Sequence, residues 1–156
     1  DMYDYAHDEE TTRFVFPTHQ SVEDTKNSIA NYFMSAPLGK YGIELKENQQ
    51  FIGTIDLRVQ ENEDNAEIGY ALNKNYWGRG FVPEASQALI KLGFEELNLV
   101  RIFAYHDAEN PKSGRVMEKL GMKKEGIIPD ARRFKGKIVS VVLRGLTRQE
   151  WQAGRS

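Results

Sequence analysis

The amino-acid sequence predicts an α/β (α+β) fold, in which helices pack on a mixed sheet within one domain spanning residues 1–156. The length fits one domain because domains usually contain about 100–200 residues. Hydrophobic residues make up 40% of the chain and charged residues 28%, a balance typical of a folded globular protein rather than a disordered chain. Short segments with strand and helix periodicity alternate along the sequence, which indicates helices that flank a sheet.

The first half is predicted to contain one helix followed by three strands. Ser21 with a carboxylate three residues later is a helix-start signal, and apolar residues at helical spacing extend the predicted helix over residues 22–34. Alternating apolar segments separated by polar turns predict three consecutive strands. Such a series indicates an antiparallel meander, with strands over residues 41–45, 51–59 and 66–72.

The second half is predicted to alternate helices and strands. Asn110-Pro111 is a strong helix start, because Asn caps the first turn and Pro fits the first helical position. Gly121 is a typical helix end, and Thr147 is expected to cap a short terminal helix. The remaining predicted elements are a helix over residues 81–96 and strands over residues 100–105, 122–128 and 137–146.

Composition excludes several classes of function. The chain has no cysteine and only three histidines, none of them at helix-face spacing, so no metal site is expected. The net charge is -2 without a dominant block of like charge, so nucleic acid is not an expected partner. No apolar run approaches the roughly 20 residues of a membrane-spanning helix. A cytoplasmic protein is expected.

The segment Trp77-Gly78-Arg79-Gly80-Phe81 has the composition of an anion-binding loop. It lies between a predicted strand and a predicted helix, whose first backbone N–H groups lack internal partners and carry the positive end of the helix dipole. Glycines allow close approach of an anion, and Arg79 adds positive charge. The pattern matches neither a P-loop nor a dinucleotide-binding Gly-x-Gly-x-x-Gly. Taken alone, it equally fits a tight strand-to-helix turn.

This loop is one of several motifs that follow one another along the chain. They are Ala66-Glu67-Ile68-Gly69-Tyr70, the loop followed by Glu84-Ala85, Asn110-Pro111-Lys112-Ser113, and Glu118-Lys119-Leu120-Gly121-Met122. Together they resemble the GNAT superfamily of acyl-CoA N-acyltransferases, and most closely its ribosomal-protein N-terminal acetyltransferase (RimJ/RimL-like) branch. The resemblance covers residues 41–151.

Two positions depart from the family pattern. Asn75 stands where the superfamily's phosphate loop often has Arg or Gln. Met117 stands where some relatives carry a tyrosine that protonates the leaving thiolate, and a methionine cannot donate a proton. The family's usual first strand would precede Asp1 and is expected to be missing from this sequence.

The resemblance implies a mixed, curved sheet with two splayed central strands and acetyl-CoA (coenzyme A) as acyl donor. It implies that the strand end beside residue 72 pairs with the pantetheine arm and that the loop amides bind the pyrophosphate. Lysines of the second helix, together with Arg115, are candidates for the adenosine-side phosphate. The implied donor-binding residues are Ala71, Leu72, Asn73, Trp77, Gly78, Arg79, Gly80, Phe81, Val82, Asn110, Lys112, Ser113 and Lys119.

The implied reaction is direct attack of an amine on the thioester. Glu67 is the expected general base acting through water, a backbone N–H near Leu72 is expected to stabilise the oxyanion, and Ser113 is expected to hydrogen-bond the leaving thiolate. His106 is an alternative base. Each of these residues also has a purely structural interpretation. Glu67 could be a solvent-facing strand residue, and Ser113 could serve the helix start. The lysines could form a solvated helix face.

The expected partner is an amine acceptor, with a protein or peptide N-terminal α-amine favoured by the resemblance. A small amine, such as a polyamine, an amino acid or an antibiotic, remains an alternative because acceptor pockets are built from variable loops. A non-catalytic acyl-CoA-binding module is a second alternative. A homodimer through the last strands is left open.

Overall fold

A computed structural model describes residues 1–13, 16–29 and 39–155 of the chain. Within them, the strands are β1 (Lys40–Glu44), β2 (Phe51–Gln60), β3 (Asn65–Leu72), β4 (Arg101–Asp107), β5 (Lys123–Phe134) and β6 (Lys137–Thr147). The helices are α1 (Met2–Ala6), α2 (Glu9–Thr12), α3 (Val22–Ser28), α4 (Phe81–Glu95), α5 (Pro111–Lys119) and α6 (Arg148–Ala153).

The strands form a six-stranded mixed sheet in the order β1-β2-β3-β4-β6-β5. β3 and β4 are parallel, whereas β1–β2, β4–β6 and β5–β6 are antiparallel. This confirms the predicted mixed sheet with flanking helices. The chain divides into two compact units, one of Asp1–Leu57 with Gly69–Val82 and one of Arg58–Ile68 with Pro83–Ser156.

In the first unit, α1 buries its apolar side chains against the end of β3. Met2, Tyr5 and Ala6 of α1 form a buried cluster with Ala71. Tyr5 is fully buried, and loss of hydration raises the pKa of its hydroxyl to about 12, so this phenol stays neutral at physiological pH. The cluster fixes α1 over β3 at the point where the chain leaves the sheet.

The predicted helix start at Ser21 is confirmed. The Ser21 Oγ accepts a hydrogen bond from the Asp24 amide at 3.1 Å, which satisfies one of the free donors of the first turn of α3. The helix was predicted to continue to residue 34, and its predicted part over residues 30–34 lies outside the described residues.

In the second unit, β4 lies at the centre and its two neighbours pair with it to different extents. β6 pairs with β4 along its whole length, from Arg101↔Thr147 to Asp107↔Val141. The parallel register with β3 runs over three pairs, from Asn65↔Arg101 to Glu67↔Phe103. β4 is therefore held mainly from one side.

The hairpin of β5 and β6 is longer than predicted. β5 was expected to end at residue 128 but continues to Phe134, past an irregularity between Ile128 and Arg132. Most of its residues are exposed, so the sequence carries no apolar alternation there from which a strand could be predicted. A two-residue turn with positive φ at Lys135 and Gly136 closes the hairpin, as tight hairpins require.

The predicted terminal helix is confirmed, and a reciprocal cap starts it. The Thr147 Oγ1 accepts from the Glu150 amide at 3.1 Å, and Glu150 Oε1 accepts from the Thr147 amide at 2.9 Å. The other Glu150 oxygen lies 2.8 Å from the Lys123 ammonium. These contacts, led by that of Lys123, lower the pKa of Glu150 to about 2.

Among the described residues, no helix combines the length and hydrophobicity needed to cross a bilayer.

The pKa of Glu150 predicts a pH-dependent contribution to stability. Because the folded-state pKa lies below the unfolded value of 4.5, the contribution is fully present above pH 4.5 and is lost as the pH falls towards 2. Glu150→Gln should therefore lower the free energy of unfolding by about 0.5–1 kcal/mol at pH 7, and by progressively less below pH 4.5. Urea unfolding from pH 3 to 7 measures this, with the exposed Glu96→Gln as control. A difference independent of pH would contradict the assignment.

Candidate functional site

The chain folds back on itself directly after β3. Asn73 caps a 3-10 turn over Lys74–Tyr76, with its Oδ1 accepting from the Asn75 amide at 3.0 Å. The Asn73 amide donates to the Ile52 carbonyl at 2.8 Å. The Trp77 indole Nε1 donates to the Leu72 carbonyl at 2.8 Å. Asn73 and Trp77 thus stabilise the conformation of this loop, in addition to any contact that they make with a ligand.

Lys74 anchors the same loop to α2. Its ammonium lies 3.2 Å from Asp8 and 3.2 Å from Glu10, and its amide donates to the Thr11 hydroxyl at 3.3 Å. The hydrogen bonds to Glu10 and Asp8 raise the pKa of Lys74. The pKa of Asp8 is lowered mainly by the hydrogen bond from the Thr11 hydroxyl, with a smaller contribution from Lys74. The start of the loop is therefore held from two sides, by β2 and by α2.

Residues 77–81, which we call the glycine loop, lead directly into α4. Gly78 and Gly80 have φ of 74° and 82°, a region that side-chain-bearing residues rarely adopt. No atom lies within 4 Å of the position of a Cβ on either glycine. The Arg79 guanidinium lies over the Phe81 ring, 5.1 Å from its centroid.

This geometry fits a phosphate group. The space beside both glycines is open, so an anion can approach the backbone closely. The first amides of α4 have no carbonyl partner inside the helix, and they point toward the end where the helix dipole favours negative charge. Arg79 adds a cation to the same short segment.

The side chains at the end of β3 are not exposed to a ligand. Ala71 is 6% exposed and packs into the α1 cluster, and Leu72 is 7% exposed. Val82, in the first turn of α4, is 6% exposed. Only the backbone of these predicted donor-binding residues is therefore suited to contact a ligand.

In the second unit, the predicted start of α5 is confirmed. The Asn110 Oδ1 accepts from the Ser113 amide at 3.4 Å, and Pro111 occupies the first turn. Ser113 is half-buried, whereas Lys112 and Lys119 are exposed. Asn110 uses its oxygen for the cap, which leaves its side-chain amide as the group that can donate to a ligand.

Glu67 lies on β3 and is paired with an arginine. Arg58 Nη2 donates to Glu67 Oε2 at 2.9 Å, with the Glu67 side chain 28% exposed. The pair is partly hydrated, so water can reach the carboxylate. Sequence reasoning identified Glu67 but missed Arg58, because a partner nine residues away on another strand leaves no local signal.

His106 is held in a hydrogen-bonded network and is unsuited to act as a base. Its Nδ1 donates to the Asp107 carbonyl at 2.9 Å, and its Nε2 accepts from Arg144 Nε at 3.1 Å. The ring is buried and both nitrogens are occupied. Arg144 also contacts Glu118 of α5 at 3.3 Å. This arrangement disfavours the alternative assignment of His106 as base.

One local signal for this network was present in the sequence. Gly114 lies inside α5, where glycine costs about 1 kcal/mol relative to alanine. A Cβ there would lie 3.0 Å from His106 Nε2, so a glycine permits the close packing of α5 on β4. A glycine inside a short helix is thus a signal, present in the sequence, that α5 packs closely on a neighbouring element.

No cluster of three or more potential metal-ligating side chains occurs in the described part of the chain.

Comparison with known proteins links these features to one family. The family model described as "Acetyltransferase (GNAT) domain" matches residues 1–123. The uncharacterized N-acetyltransferase p20 of Bacillus licheniformis is 34% identical over 152 residues, covering 94% of this chain and 85% of that protein. The [ribosomal protein uS5]-alanine N-acetyltransferase of Escherichia coli is 32% identical over 117 residues, covering 74% of this chain and 60% of that protein.

Solved structures show the same fold. A GNAT-family acetyltransferase from Bacillus anthracis superposes with a TM-score of 0.85 at 28% identity, covering 94% of this chain and 87% of the other. The spermidine N-acetyltransferase from Vibrio cholerae, solved in complex with CoA and spermine, has a TM-score of 0.78 at 17% identity, covering 97% and 90%.

Proposed function

Because the chain belongs to the GNAT family and is an N-acetyltransferase that uses acetyl-CoA, we propose that its acceptor is the α-amine at the N-terminus of a protein or peptide. The proposal has two parts, the binding of the acetyl-CoA donor and the identity of the acceptor. The geometry of the glycine loop at the start of α4 is the main support for the donor part. The acceptor half is supported by the likeness to an enzyme named for ribosomal-protein alanine acetylation.

The donor assignment follows from the chemistry of each segment. The amides of residues 78–82 and the Arg79 guanidinium suit a pyrophosphate. The backbone of Ala71, Leu72 and Asn73 is the edge proposed to lie beside the pantetheine arm, as an added strand would. The Asn73 amide already donates to the Ile52 carbonyl of β2, and the Leu72 carbonyl accepts from the Trp77 indole. The Asn73 carboxamide nitrogen and the Leu72 amide are therefore the groups proposed for that contact.

The helix α5 supplies the remaining proposed donor contacts. The Asn110 side-chain amide is proposed to donate to a pantetheine carbonyl. Lys112 and Lys119 are exposed cations on this helix, and at least one of them is proposed to contact the adenosine-side phosphate. Trp77 and Phe81 flank the two glycines and are proposed to form apolar walls of the loop.

The amine must lose its proton before it attacks the thioester. An α-amine with a pKa of about 8 needs about 1.4 kcal/mol for deprotonation at pH 7, whereas a lysine with a pKa of about 10.4 needs about 4.6 kcal/mol. A modest base working through one water suffices for the α-amine. We assign this role to Glu67, whose partly exposed carboxylate is held in place on β3 by Arg58 at 2.9 Å.

The leaving thiolate needs little help at neutral pH. Met117 is 3% exposed and carries no proton to donate. Ser113, in the first turn of the same helix, is the hydroxyl proposed to hydrogen-bond the sulfur. Its backbone amide donates to the Asn110 cap, so the helix start fixes the backbone position of Ser113.

The acceptor assignment predicts a clear order among substrates. A peptide with a free N-terminal alanine should be acetylated with a kcat/KM at least tenfold above that of spermidine. The reason is that an α-amine needs less free energy for deprotonation at pH 7 than an alkyl ammonium group does. Thiol release measures the rate, and mass spectrometry locates the acetyl group. The control is the same peptide with a blocked N-terminus and an internal lysine, which should remain unmodified. Faster acetylation of spermidine would overturn the α-amine assignment while leaving the donor assignment intact.

The base assignment predicts that Glu67→Gln lowers kcat by about 100-fold or more without changing the dissociation constant for acetyl-CoA. The matched control is Glu125→Gln, since Glu125 is likewise a partly exposed strand carboxylate paired with an arginine, Arg101, at 2.5 Å and 2.8 Å. That control should keep its activity within about twofold. Steady-state kinetics and calorimetric titration separate the two effects. Full activity of Glu67→Gln would show that another group takes the proton.

A further inference from the structure

One aromatic side chain on a central strand of the sheet is open to solvent. β4 has a neighbouring strand on each side, β3 and β6. On one face of β4 the side chains are covered, since Ile102 and Ala104 are fully buried. On the opposite face, 40% of Tyr105 is exposed in the part of the chain that the structure describes. The Tyr105 ring therefore offers a contact surface to a ligand on that face.

Tyr105 shares this face with Glu67, the proposed base. Glu67 of β3 is in register with Phe103 of β4, and residues in register lie on the same side of a sheet. Tyr105 is two positions beyond Phe103, so the alternation of side chains along a strand places it on that side as well. The Phe103 and Tyr105 rings are in contact, with centroids 5.8 Å apart and planes at 83°.

The separation of Glu67 and Tyr105 suits a substrate amine. Neighbouring strands lie about 4.8 Å apart and rise about 3.3 Å per residue, which puts the two Cα atoms roughly 8 Å or more apart. The register with β3 ends at Phe103, so no residue of β3 is paired with Tyr105. The Glu67 side chain is 28% exposed. An amine and one bridging water fit between the two side chains, as a base acting through water requires.

The arginines near Tyr105 are engaged with other groups. Arg58 Nη2 donates to Glu67 at 2.9 Å, and the Arg101 guanidinium lies over the Phe103 ring, 5.4 Å from its centroid. Among the described residues, no cation lies over the Tyr105 ring. Its T-shaped contact with Phe103 leaves at least one face of the ring uncovered by that neighbour. The open face of an aromatic ring attracts an ammonium group through the ring quadrupole.

We propose that Tyr105 binds the ammonium group of the acceptor through a cation–π contact and holds it beside Glu67. This inference rests on the proposed function, in which an amine acceptor loses its proton to Glu67 through water. The ring attracts the charged amine and not the neutral one, so it acts on binding rather than on proton transfer. Loss of the ring should therefore raise the KM for the acceptor and leave kcat within about twofold.

Calorimetric titration of the CoA-bound protein tests the contact directly, because CoA carries no acetyl group and the acceptor binds without reacting. One probe is a peptide with a free N-terminal alanine. The other is the same peptide with a propionyl group in place of the alanine, which lacks only the amine. Tyr105→Leu should weaken binding of the alanyl peptide about fivefold or more and that of the propionyl peptide less than about twofold. Tyr105→Phe keeps the ring and should bind both as the wild type does.

Tyr41→Leu is the matched control, since Tyr41 is an exposed strand tyrosine on β1, and it should bind both peptides as the wild type does. Equal weakening of both peptides by Tyr105→Leu would make Tyr105 a merely apolar wall and overturn the proposal. Unchanged binding of the alanyl peptide by Tyr105→Leu, or a large fall in its kcat, would overturn it too. Weaker binding by Tyr105→Phe would assign the contact to the hydroxyl and contradict the proposal.

A second measurement needs no variant. In aromatic ¹H–¹³C spectra of the wild type with CoA, the alanyl peptide or spermidine should shift the Tyr105 ring signals saturably. Absence of this shift with both amines would overturn the proposal even if Tyr105→Leu fails to fold. Binding of spermidine that depends on the Tyr105 ring, without binding of the alanyl peptide, would support the ammonium contact and overturn the peptide as acceptor.

Discussion

The left-handed backbone at Gly78 and Gly80 is the constraint on which the proposed donor site depends. These two glycines, on either side of Arg79, lead the chain from the 3-10 turn after β3 into α4, whose first amides have no carbonyl partner inside the helix. Asn73 and Lys74 hold the preceding segment through contacts to β2 and α2, so the chain that enters the loop is fixed before a ligand arrives. Such preorganisation reduces the ordering cost of binding a phosphate.

A second interaction organises the other unit. Arg144 of β6 joins His106 of β4 to Glu118 of α5, and Gly114 allows the helix to approach the imidazole. The start of α5, with Asn110 and Ser113, is thereby fixed relative to β4. The histidine that the sequence offered as a second base instead holds this framework, and Glu67 remains the proposed base.

Features encoded by a few neighbouring residues could be predicted from the sequence. The helix starts at Ser21, Asn110 and Thr147 are each confirmed by a side-chain cap, because capping depends on residues within one turn. The pairing of His106 with Arg144 spans 38 positions and depends on strand register, which no local pattern reveals. The second half of β5 was missed for a different reason, since an exposed strand needs no apolar alternation.

Calorimetric titration with acetyl-CoA of the wild type, Gly80→Asp and Gly136→Asp tests the central claim most directly. Gly136 has φ of 78° and open space around it, as does Gly80 with φ of 82°, so both substitutions carry the same backbone strain. Only Gly80→Asp places a carboxylate in the glycine loop. The account predicts dissociation constants in the micromolar range, about −8 kcal/mol, for the wild type and Gly136→Asp, and no measurable binding for Gly80→Asp. Equal binding by the two variants would contradict it.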